Sequence, residues 1–321
     1  MSDLLKITNL SVDYYRNRRV LHALDGVSLG VAANETISIV GESGCGKSTL
    51  AYSILRLISP AEGRITQGSI LYRDADILGL RDKELRRIRG KEISMVFQDP
   101  FSSLNPVITV GEQIRETLIA HDAFTSPDVL REKTLSVIRQ VKLPDPVRIY
   151  NAYPHQLSGG QRQRVSIAIA LMTDPRILIA DEPTTALDVT TADEILNLLW
   201  ELQAKRAMSV LFITHNLHLA FRHSDRIIVM YAGEIIEEGK TSELLKDPRH
   251  PYTRKLLALL PSLDKKGKLL SGIPGQVPDM VTIPAGCRFM PRCDKASVNC
   301  GAARPSFTGI TATHRVKCEE L

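Results

Sequence analysis

Apolar runs alternate with amphipathic segments along most of the chain. The apolar or alternating runs typical of strands span residues 4–12, 20–31, 36–40, 69–72, 93–97, 177–180, 210–214 and 227–231. Segments with apolar residues at helical spacing span 48–57, 82–89, 110–141 with a break near 125–127, 161–172, 192–206, and a stretch from 241 to about 260. Strands that alternate with helices usually form a parallel sheet covered by helices. The pattern therefore predicts an α/β fold with a mainly parallel core sheet.

A glycine-rich loop joins the predicted strand at 36–40 to the helix that follows it. Its sequence from Gly41 to Ser48, GESGCGKS, fits G-x-x-x-x-G-K-[ST] at every fixed position. Such a loop wraps backbone N–H groups around phosphate oxygens and points the positive end of a helix at them. We expect Lys47 to reach the β- and γ-phosphates of a nucleotide and Ser48 to bind Mg²⁺. The other expected nucleotide-binding residues here are Gly41, Ser43, Gly44, Cys45 (a small filler of the loop), Gly46 and Thr49.

Two acids follow the apolar run at 177–180. A buried strand that ends in Asp181 and Glu182 places both carboxylates at the C-terminal edge of a sheet, where α/β proteins bind ligands. We expect Asp181 to hold Mg²⁺, directly or through water. We expect Glu182 to polarise the attacking water as the general base. Alone this strand ending is a weak signal, and the phosphate-binding loop upstream strengthens it.

Between these motifs lies the sequence LSGGQ, from Leu157 to Gln161. It resembles the signature of ABC-type ATPases. Other marks resembling that family follow in the family's order: Gln98 in VFQDP, Asp188 in ALD, and His215 after the strand at 210–214. The resemblance covers residues 1–245. It implies an α/β fold of the ABC-type P-loop ATPase, with a mixed core sheet, an antiparallel β-subdomain and a helical subdomain.

The resemblance also implies roles for single residues. Gln98 would bind Mg²⁺ and the attacking water, and His215 would act as the catalytic switch histidine. Tyr14 would stack on adenine, with Tyr15 as the alternative. Two such domains pair head to tail in the family, so the signature and the loop of Asp188 would bind a nucleotide held by the opposing domain. The residues implied for that contact are Ser158, Gly159, Gly160, Gln161 and Asp188.

Composition changes near residue 245. From Lys246 onward the chain has thirteen basic and six acidic residues, a net charge of +7 within a total of +5, and eight of its 17 prolines. Four of the five cysteines also lie there. The sequence therefore predicts two domains, an ATPase domain at 1–245 and a C-terminal extension at 246–321. The basic charge is local to that extension and does not indicate nucleic-acid binding.

The four cysteines are Cys287, Cys293, Cys300 and Cys318. Clustered thiols in a reducing compartment favour zinc or an iron–sulfur cluster, although the tight C-x2-4-C pairs of structural zinc sites are missing. Neighbouring Arg288, Arg292, Arg315 and Lys317 are expected to favour thiolates. The extension resembles that of oligopeptide/dipeptide-type ABC importer ATPases, in His250-Pro251-Tyr252-Thr253, Gly272-Ile273-Pro274-Gly275, Cys287-Arg288-Phe289 and Pro291-Arg292-Cys293. The resemblance implies a [4Fe–4S] cluster on the four cysteines; zinc and free thiols are the alternatives.

Together these resemblances imply the ATP-hydrolysing subunit of a bacterial peptide importer. No apolar stretch reaches the roughly 20 residues of a membrane span, and the start carries no secretory signal. We therefore expect a peripheral protein on the cytoplasmic face of the inner membrane. Its expected partners are two permease subunits, a second ABC ATPase (a hetero-pair, with a homodimer as the alternative) and, indirectly, a substrate-binding protein. The alternatives are the same machine importing nickel, other metal chelates or another solute, and a soluble ABC ATPase outside transport.

Overall fold

The computed structural model describes residues 3–121, 126–260 and 272–320. The chain divides into two compact units. The first, here the phosphate-loop unit, combines Met1–Gly79 with Phe212–Leu321, and the second, the signature unit, is Leu80–Leu211. The phosphate-loop unit thus comes from both ends of the sequence and includes the cysteine-bearing tail. The domain boundary near 245 stays a prediction about family domains.

The elements of the described residues alternate as the sequence pattern predicts. The strands are β1 (Leu5–Arg16), β2 (Arg19–Val31), β3 (Thr36–Val40), β4 (Gly63–Tyr72), β5 (Ala75–Asp76), β6 (Ile93–Val96), β7 (Ile177–Asp181), β8 (Ser209–Thr214), β9 (Arg226–Tyr231), β10 (Glu234–Lys240), β11 (Thr308–Gly309) and β12 (Arg315–Val316). The helices are α1 (Lys47–Ile54), α2 (Asp82–Arg86), α3 (Pro100–Ser103), α4 (Val110–Ile119), α5 (Pro127–Gln140), α6 (Pro146–Asn151), α7 (Gly159–Leu171), α8 (Val189–Arg206), α9 (Leu217–His223), α10 (Thr241–Lys246), α11 (Pro251–Ala258) and α12 (Asn299–Ala302).

The phosphate-loop unit contains an antiparallel sheet and a mixed sheet. In the first, the strand order is β2-β1-β4-β5. In the second, β3 runs parallel to β9, and β9 pairs antiparallel with β10. The tail strands β12 and β11 continue this sheet from β10. Every residue of β3 is buried, including the polar Thr36 and Ser38. The loop after β3 therefore starts from a rigid strand in the core.

The signature unit is mostly helical around a parallel strand pair. β6 and β7 pair with Val96 opposite Ala180. Helix α7 buries most of its length, and α8 carries a row of buried leucines and an isoleucine toward the interior. Because β6 and β7 are parallel, the residues that follow them emerge at the same edge. The Gln98 and Glu182 side chains come from those two strand ends.

The core sheet of the phosphate-loop unit is mixed, as the family resemblance implies, because the chain turns back at Ala232 and Gly233, both with positive φ, into β10. Some predictions from the sequence pattern differ from the structure. The apolar pattern missed β10, whose buried face includes Glu234, Glu237 and Glu238. The stretch from 241 is two helices, since Pro251 starts α11 anew. Part of the break predicted near 125–127 lies outside the described residues, and α5 begins at Pro127.

Candidate functional site

The glycines of the phosphate loop occupy positions that a larger residue could not. Gly44 and Gly46 have φ of +79° and +101°, in the left-handed region that favours glycine. A Cβ on Gly41 would lie 2.2 Å from the Met230 carbonyl oxygen, and one on Gly46 2.6 Å from the Ala23 carbonyl oxygen. The loop is therefore pressed against neighbouring backbone on one side. Ser43 and Gly44 are exposed on the other.

Lys47 folds its side chain back over the loop. Only 5% of the residue is exposed, and its Nζ donates to the carbonyl oxygens of Gly41 at 2.9 Å and of Glu42 at 3.0 Å. Gly46, the N-cap of α1, offers no side chain to the first N–H groups of the helix. These groups, followed by Ser48 and Thr49 in the first turn, fit an anion such as a nucleotide phosphate.

Cys45 behaves as the filler that the sequence predicts. It is fully buried, and burial raises the pKa of its thiol. Its carbonyl oxygen accepts a hydrogen bond from the Gly233 N–H at 3.0 Å. Cys45 therefore ties the loop to the β9–β10 turn, and its thiol stays protonated.

In the signature unit the two candidate catalytic side chains meet. The Gln98 Nε2 donates to Glu182 Oε2 at 3.2 Å, and the Thr185 Oγ1 donates to the same oxygen at 2.8 Å. Glu182 has φ of +45°, an uncommon conformation for glutamate that is typical of functional sites. Asp181, the last residue of β7, is fully buried. Thr185 was not identified from the sequence, although it lies three residues after Glu182.

The signature residues form the N-terminus of α7. The Ser158 Oγ accepts from the Gln161 N–H at 3.3 Å, and the Gln161 Oε1 accepts from the Ser158 N–H at 3.1 Å, a reciprocal capping box. A Cβ on Gly160 would lie 2.5 Å from Thr191 Cγ2, so α7 and the start of α8 approach closely there. Gly159 lies beside Leu187 in the same way, with 3.4 Å to its Cδ2.

Asp188 begins α8. Its Oδ1 accepts from the Thr191 N–H at 3.0 Å, and this hydrogen bond lowers the pKa of the carboxyl group. Asp188 is exposed, and its contact with an opposing domain stays a prediction. Thr191, which contacts both Asp188 and Gly160, has no signal in the sequence beyond its place in the helix.

The remaining nucleotide-site candidates lie in the phosphate-loop unit. Tyr14 is half-buried in β1, where a Cβ on Gly63 would be 2.7 Å from its ring. Tyr15 is more exposed, and the Arg64 guanidinium lies 5.4 Å from its ring centroid. His215 directly follows β8 and is exposed. Their adenine-stacking and switch roles stay predictions.

The donor set suits Mg²⁺ as well as phosphates. Asp181 supplies a carboxylate, Gln98 an amide oxygen and Ser48 a hydroxyl, the hard oxygen ligands that Mg²⁺ prefers. Asp181 and Gln98 belong to the signature unit and Ser48 to the phosphate-loop unit, and their joint role in holding the ion stays a prediction.

None of the four tail cysteines forms a disulfide. Several of these cysteines lie close enough to interact electrostatically. The charges of the Cys300 and Cys318 thiolates would raise the pKa of Cys287, and that of Cys300 would raise the pKa of Cys293. Within 3–121, 126–260 and 272–320, however, no three His, Cys, Asp or Glu side chains are grouped so as to hold a metal ion. The arrangement of the thiols therefore gives no support to the predicted [4Fe–4S] cluster or to zinc.

The expectation that neighbouring cations favour thiolates is wrong for this arrangement. Burial raises the pKa values of Cys287, Cys293 and Cys318. The neighbouring arginines pair instead with carboxylates: Arg288 with Asp25, Arg292 with Glu42 and Arg315 with Glu238. Sequence proximity of charge to a cysteine did not reveal where the guanidinium groups point.

Comparison with known proteins places these features in a family. Residues 24–185 match the ABC transporter family, and residues 236–300 match the family described as oligopeptide/dipeptide transporter, C-terminal region. The dipeptide transport ATP-binding protein DppD of Bacillus subtilis (strain 168) is 45% identical over 318 residues, which cover 99% of this chain and 95% of DppD. The chain belongs to the ABC transporter ATPases.

Further relatives agree with this family. The oligopeptide transport ATP-binding protein AppD of Bacillus subtilis (strain 168) is 42% identical over 318 residues, 99% of this chain and 97% of AppD. The dimeric ATP-binding cassette MJ0796, solved in a post-hydrolysis state with ADP and Pi, aligns with a TM-score of 0.66 and 35% identity. That alignment covers 74% of this ABC ATPase and 98% of MJ0796.

The predicted α/β ABC cassette fold is thereby confirmed. Within the part of this ABC ATPase that the structure describes, there is no helix with the length and apolar character needed to cross a membrane.

Proposed function

We propose that this ABC ATPase powers the import of peptides, dipeptides or oligopeptides, across the bacterial inner membrane. The observation that carries the proposal is the C-terminal match at 236–300, in the same chain as the complete set of ATPase motifs. The relatives named for dipeptide and oligopeptide transport align over 99% of this chain, tail included. They favour peptides over nickel, other chelates or a role outside transport.

The proposed reaction is in-line hydrolysis of a nucleoside triphosphate. The loop N–H groups and Lys47 would hold the phosphates. Ser48, Gln98 and Asp181 are proposed to hold Mg²⁺, which would supply positive charge against the developing negative charge of the transferred phosphoryl group. Glu182 would accept the proton of the attacking water. Its carboxylate is already oriented by Gln98 and Thr185, so it needs little rearrangement to act. His215 is proposed as the switch residue.

The proposal includes partners. In this proposal the chain hydrolyses ATP, and separate permease subunits provide the path through the membrane. We propose two permease subunits, a head-to-tail pairing with a second ABC ATPase in which Ser158, Gly160 and Asp188 contact the opposing nucleotide, and an indirect link to a substrate-binding protein. The hetero-pair is preferred to a homodimer. The chain would then lie on the cytoplasmic face of the inner membrane, held there by the permease.

The test is uptake of labelled di- and oligopeptides by cells or proteoliposomes in which this ATPase is assembled with a peptide-importer permease from the same organism. Wild-type ATPase should support uptake, and Glu182→Gln should abolish it while the protein still assembles with the permease. Uptake of nickel or another chelate but of no peptide by the wild-type complex would refute the peptide assignment and leave the ATPase assignment standing.

We also propose, from the thiol chemistry of the donor set alone, that the four cysteines take up a [4Fe–4S] cluster, with zinc as the alternative. The test is iron, zinc and acid-labile sulfide analysis of full-length protein purified without oxygen, with Cys293→Ser as the matched variant. Iron and sulfide lost in Cys293→Ser would support the cluster. Wild-type protein without metal would exclude both.

A further inference from the structure

Arg292 joins the tail to the phosphate loop. Its side chain is only 4% exposed, and its Nη1 donates to Glu42 Oε2 at 3.0 Å and to the Tyr231 Oη at 3.2 Å. Glu42 is the second residue of the phosphate loop. The guanidinium carbon also lies 5.7 Å from the centroid of the Tyr231 ring. A residue 250 positions away in sequence therefore pairs with the loop that is expected to hold ATP.

The tail fixes Arg292 in turn. Its Nε donates to the Pro274 carbonyl oxygen at 2.9 Å, and its Nη2 donates to the Ile273 carbonyl oxygen at 3.0 Å. Gly275, with φ of +84°, brings the backbone so close that a Cβ there would lie 3.0 Å from Arg292 Cγ. Two tail motifs from the sequence, GIPG and PRC, thus meet at this guanidinium. It has little freedom to leave Glu42.

A second tail residue holds the backbone of the same loop position. The Glu42 N–H donates to the Tyr252 Oη at 3.0 Å. Tyr252 is fully buried, with its ring centroid 4.7 Å from that of Tyr231 and 5.3 Å from that of Phe289. Glu42 is therefore held at its main chain by Tyr252 and at its side chain by Arg292.

The negative charge of Glu42 explains why its contacts with Arg292 and Tyr252 should affect ATP affinity. Glu42 adds a negative charge to the loop that would bind phosphates, and like charges repel most strongly where water is partly excluded. Arg292 opposes this charge through a charge-assisted hydrogen bond. Without that partner, the carboxylate would face the bound nucleotide uncompensated and the loop would lose one of its two tail anchors.

We propose that Arg292 is a positioning residue for ATP binding: from the C-terminal tail it neutralises Glu42 and, together with Tyr252, fixes the phosphate loop. The tail thereby acts on nucleotide affinity irrespective of the cargo. The proposal rests on ATP binding by this ABC ATPase and needs neither the peptide assignment nor a metal on the cysteines.

The experiment measures the affinity of the full-length chain for a fluorescent ATP analogue with Mg²⁺, without permease. Arg292→Gln should weaken binding about tenfold, the equivalent of one charge-assisted hydrogen bond. The single Glu42→Gln variant, which removes the carboxylate charge, sets the reference affinity, and adding Glu42→Gln to Arg292→Gln should restore binding to that reference. The matched control is Arg315→Gln, which removes a tail guanidinium that pairs with Glu238 at 2.7 Å; it should bind ATP as wild type does.

The outcomes separate charge compensation from a general structural effect. Rescue of Arg292→Gln by Glu42→Gln supports the proposal, because a packing defect would remain in the double variant. Wild-type affinity in a folded Arg292→Gln variant, or no rescue in the double variant, overturns it. If Arg292→Gln does not fold, Tyr252→Phe removes only the hydroxyl that accepts the Glu42 N–H. It should weaken ATP binding several-fold, and unchanged binding would overturn the proposal.

Discussion

His250 makes the stability of the phosphate-loop unit depend on pH. The residue is 1% exposed, its Nδ1 accepts the Tyr252 N–H at 3.0 Å, and its ring centroid lies 5.7 Å from that of Phe289. The backbone N–H of His250 donates to Oε2 of the buried Glu237 at 2.9 Å. Burial lowers the pKa of the imidazole from its ordinary 6.5 to about 3. The folded protein therefore keeps His250 neutral as an acceptor at the start of α11.

The direction of the effect follows from proton uptake. Between the folded and unfolded pKa values the unfolded chain binds the proton and the folded chain does not, so the free energy of unfolding falls as the pH drops below 6.5. At about pH 5.5 this one residue should lower the free energy of unfolding by about 1.4 kcal/mol relative to about pH 7.5. Above the unfolded pKa the residue contributes no slope.

His250→Asn removes the titration and keeps a side-chain oxygen that can accept the Tyr252 N–H, as asparagine does at N-caps. Urea unfolding of wild type and variant at the two pH values, followed by tyrosine near-ultraviolet circular dichroism, reports the packed Tyr231–Tyr252 pair. The variant should lose about 1.4 kcal/mol less than wild type on acidification. His218→Asn, at an exposed position, should behave as wild type does. Equal acid sensitivity in wild type and His250→Asn would refute the reasoning.

Three further predictions concern the nucleotide site. Glu182→Gln should keep ATP affinity within about twofold of wild type and lower the turnover of the assembled complex by at least about a hundredfold, measured as phosphate release; near-normal turnover would remove Glu182 as the base. Gly46→Ala places a Cβ 2.6 Å from the Ala23 carbonyl oxygen and should reduce both ATP binding and melting temperature. Gly272→Ala, which has open space around it, is the control and should change neither. Equal behaviour of the two variants would show that the loop accommodates the added methyl group. Gly160→Ala brings a methyl group 2.5 Å from Thr191 Cγ2 and should lower the melting temperature. Adding Thr191→Ser, which removes that Cγ2, should recover most of the loss. A double variant as unstable as Gly160→Ala alone would show that the steric strain lies elsewhere.

Local patterns were sufficient for much of the fold. β3 was predicted over its full range because its Thr, Ile and Val residues favour strands, and the phosphate loop between β3 and α1 has a pattern fixed by its chemistry. β10 was missed because its buried glutamates look like surface residues. Glu237, fully buried, accepts from the His314 Nε2 at 2.8 Å and from the N–H groups of Arg249 and His250. Only the folded chain supplies those partners.

The candidate site likewise has a part that the sequence predicts and a part that only the structure shows. Its motif residues could be named from the sequence, yet the hydrogen bonds that orient them could not. Thr185 binds the Glu182 carboxylate through a turn whose φ of +45° at a glutamate has no residue signature. Arg292 reaches Glu42 across 250 residues, and its place next to Cys293 suggested thiol chemistry instead. Long-range charge pairs of this kind leave no periodic trace in a single sequence.

The phosphate-loop unit is formed by two separate segments of the chain, so its folding is delayed during synthesis until the second segment has been made. β3 leaves the ribosome early, but the Thr36 N–H bonds to the Asp225 carboxylate 189 residues later, and β3 pairs with the strand that follows Asp225. At about 5–20 residues per second, roughly 10–40 s pass before that partner exists. For that interval β3, which is wholly buried in the folded protein, has an unpaired edge, and such segments aggregate or bind chaperones. Yield in the cell should therefore respond to translation speed and chaperone supply more than the finished fold suggests.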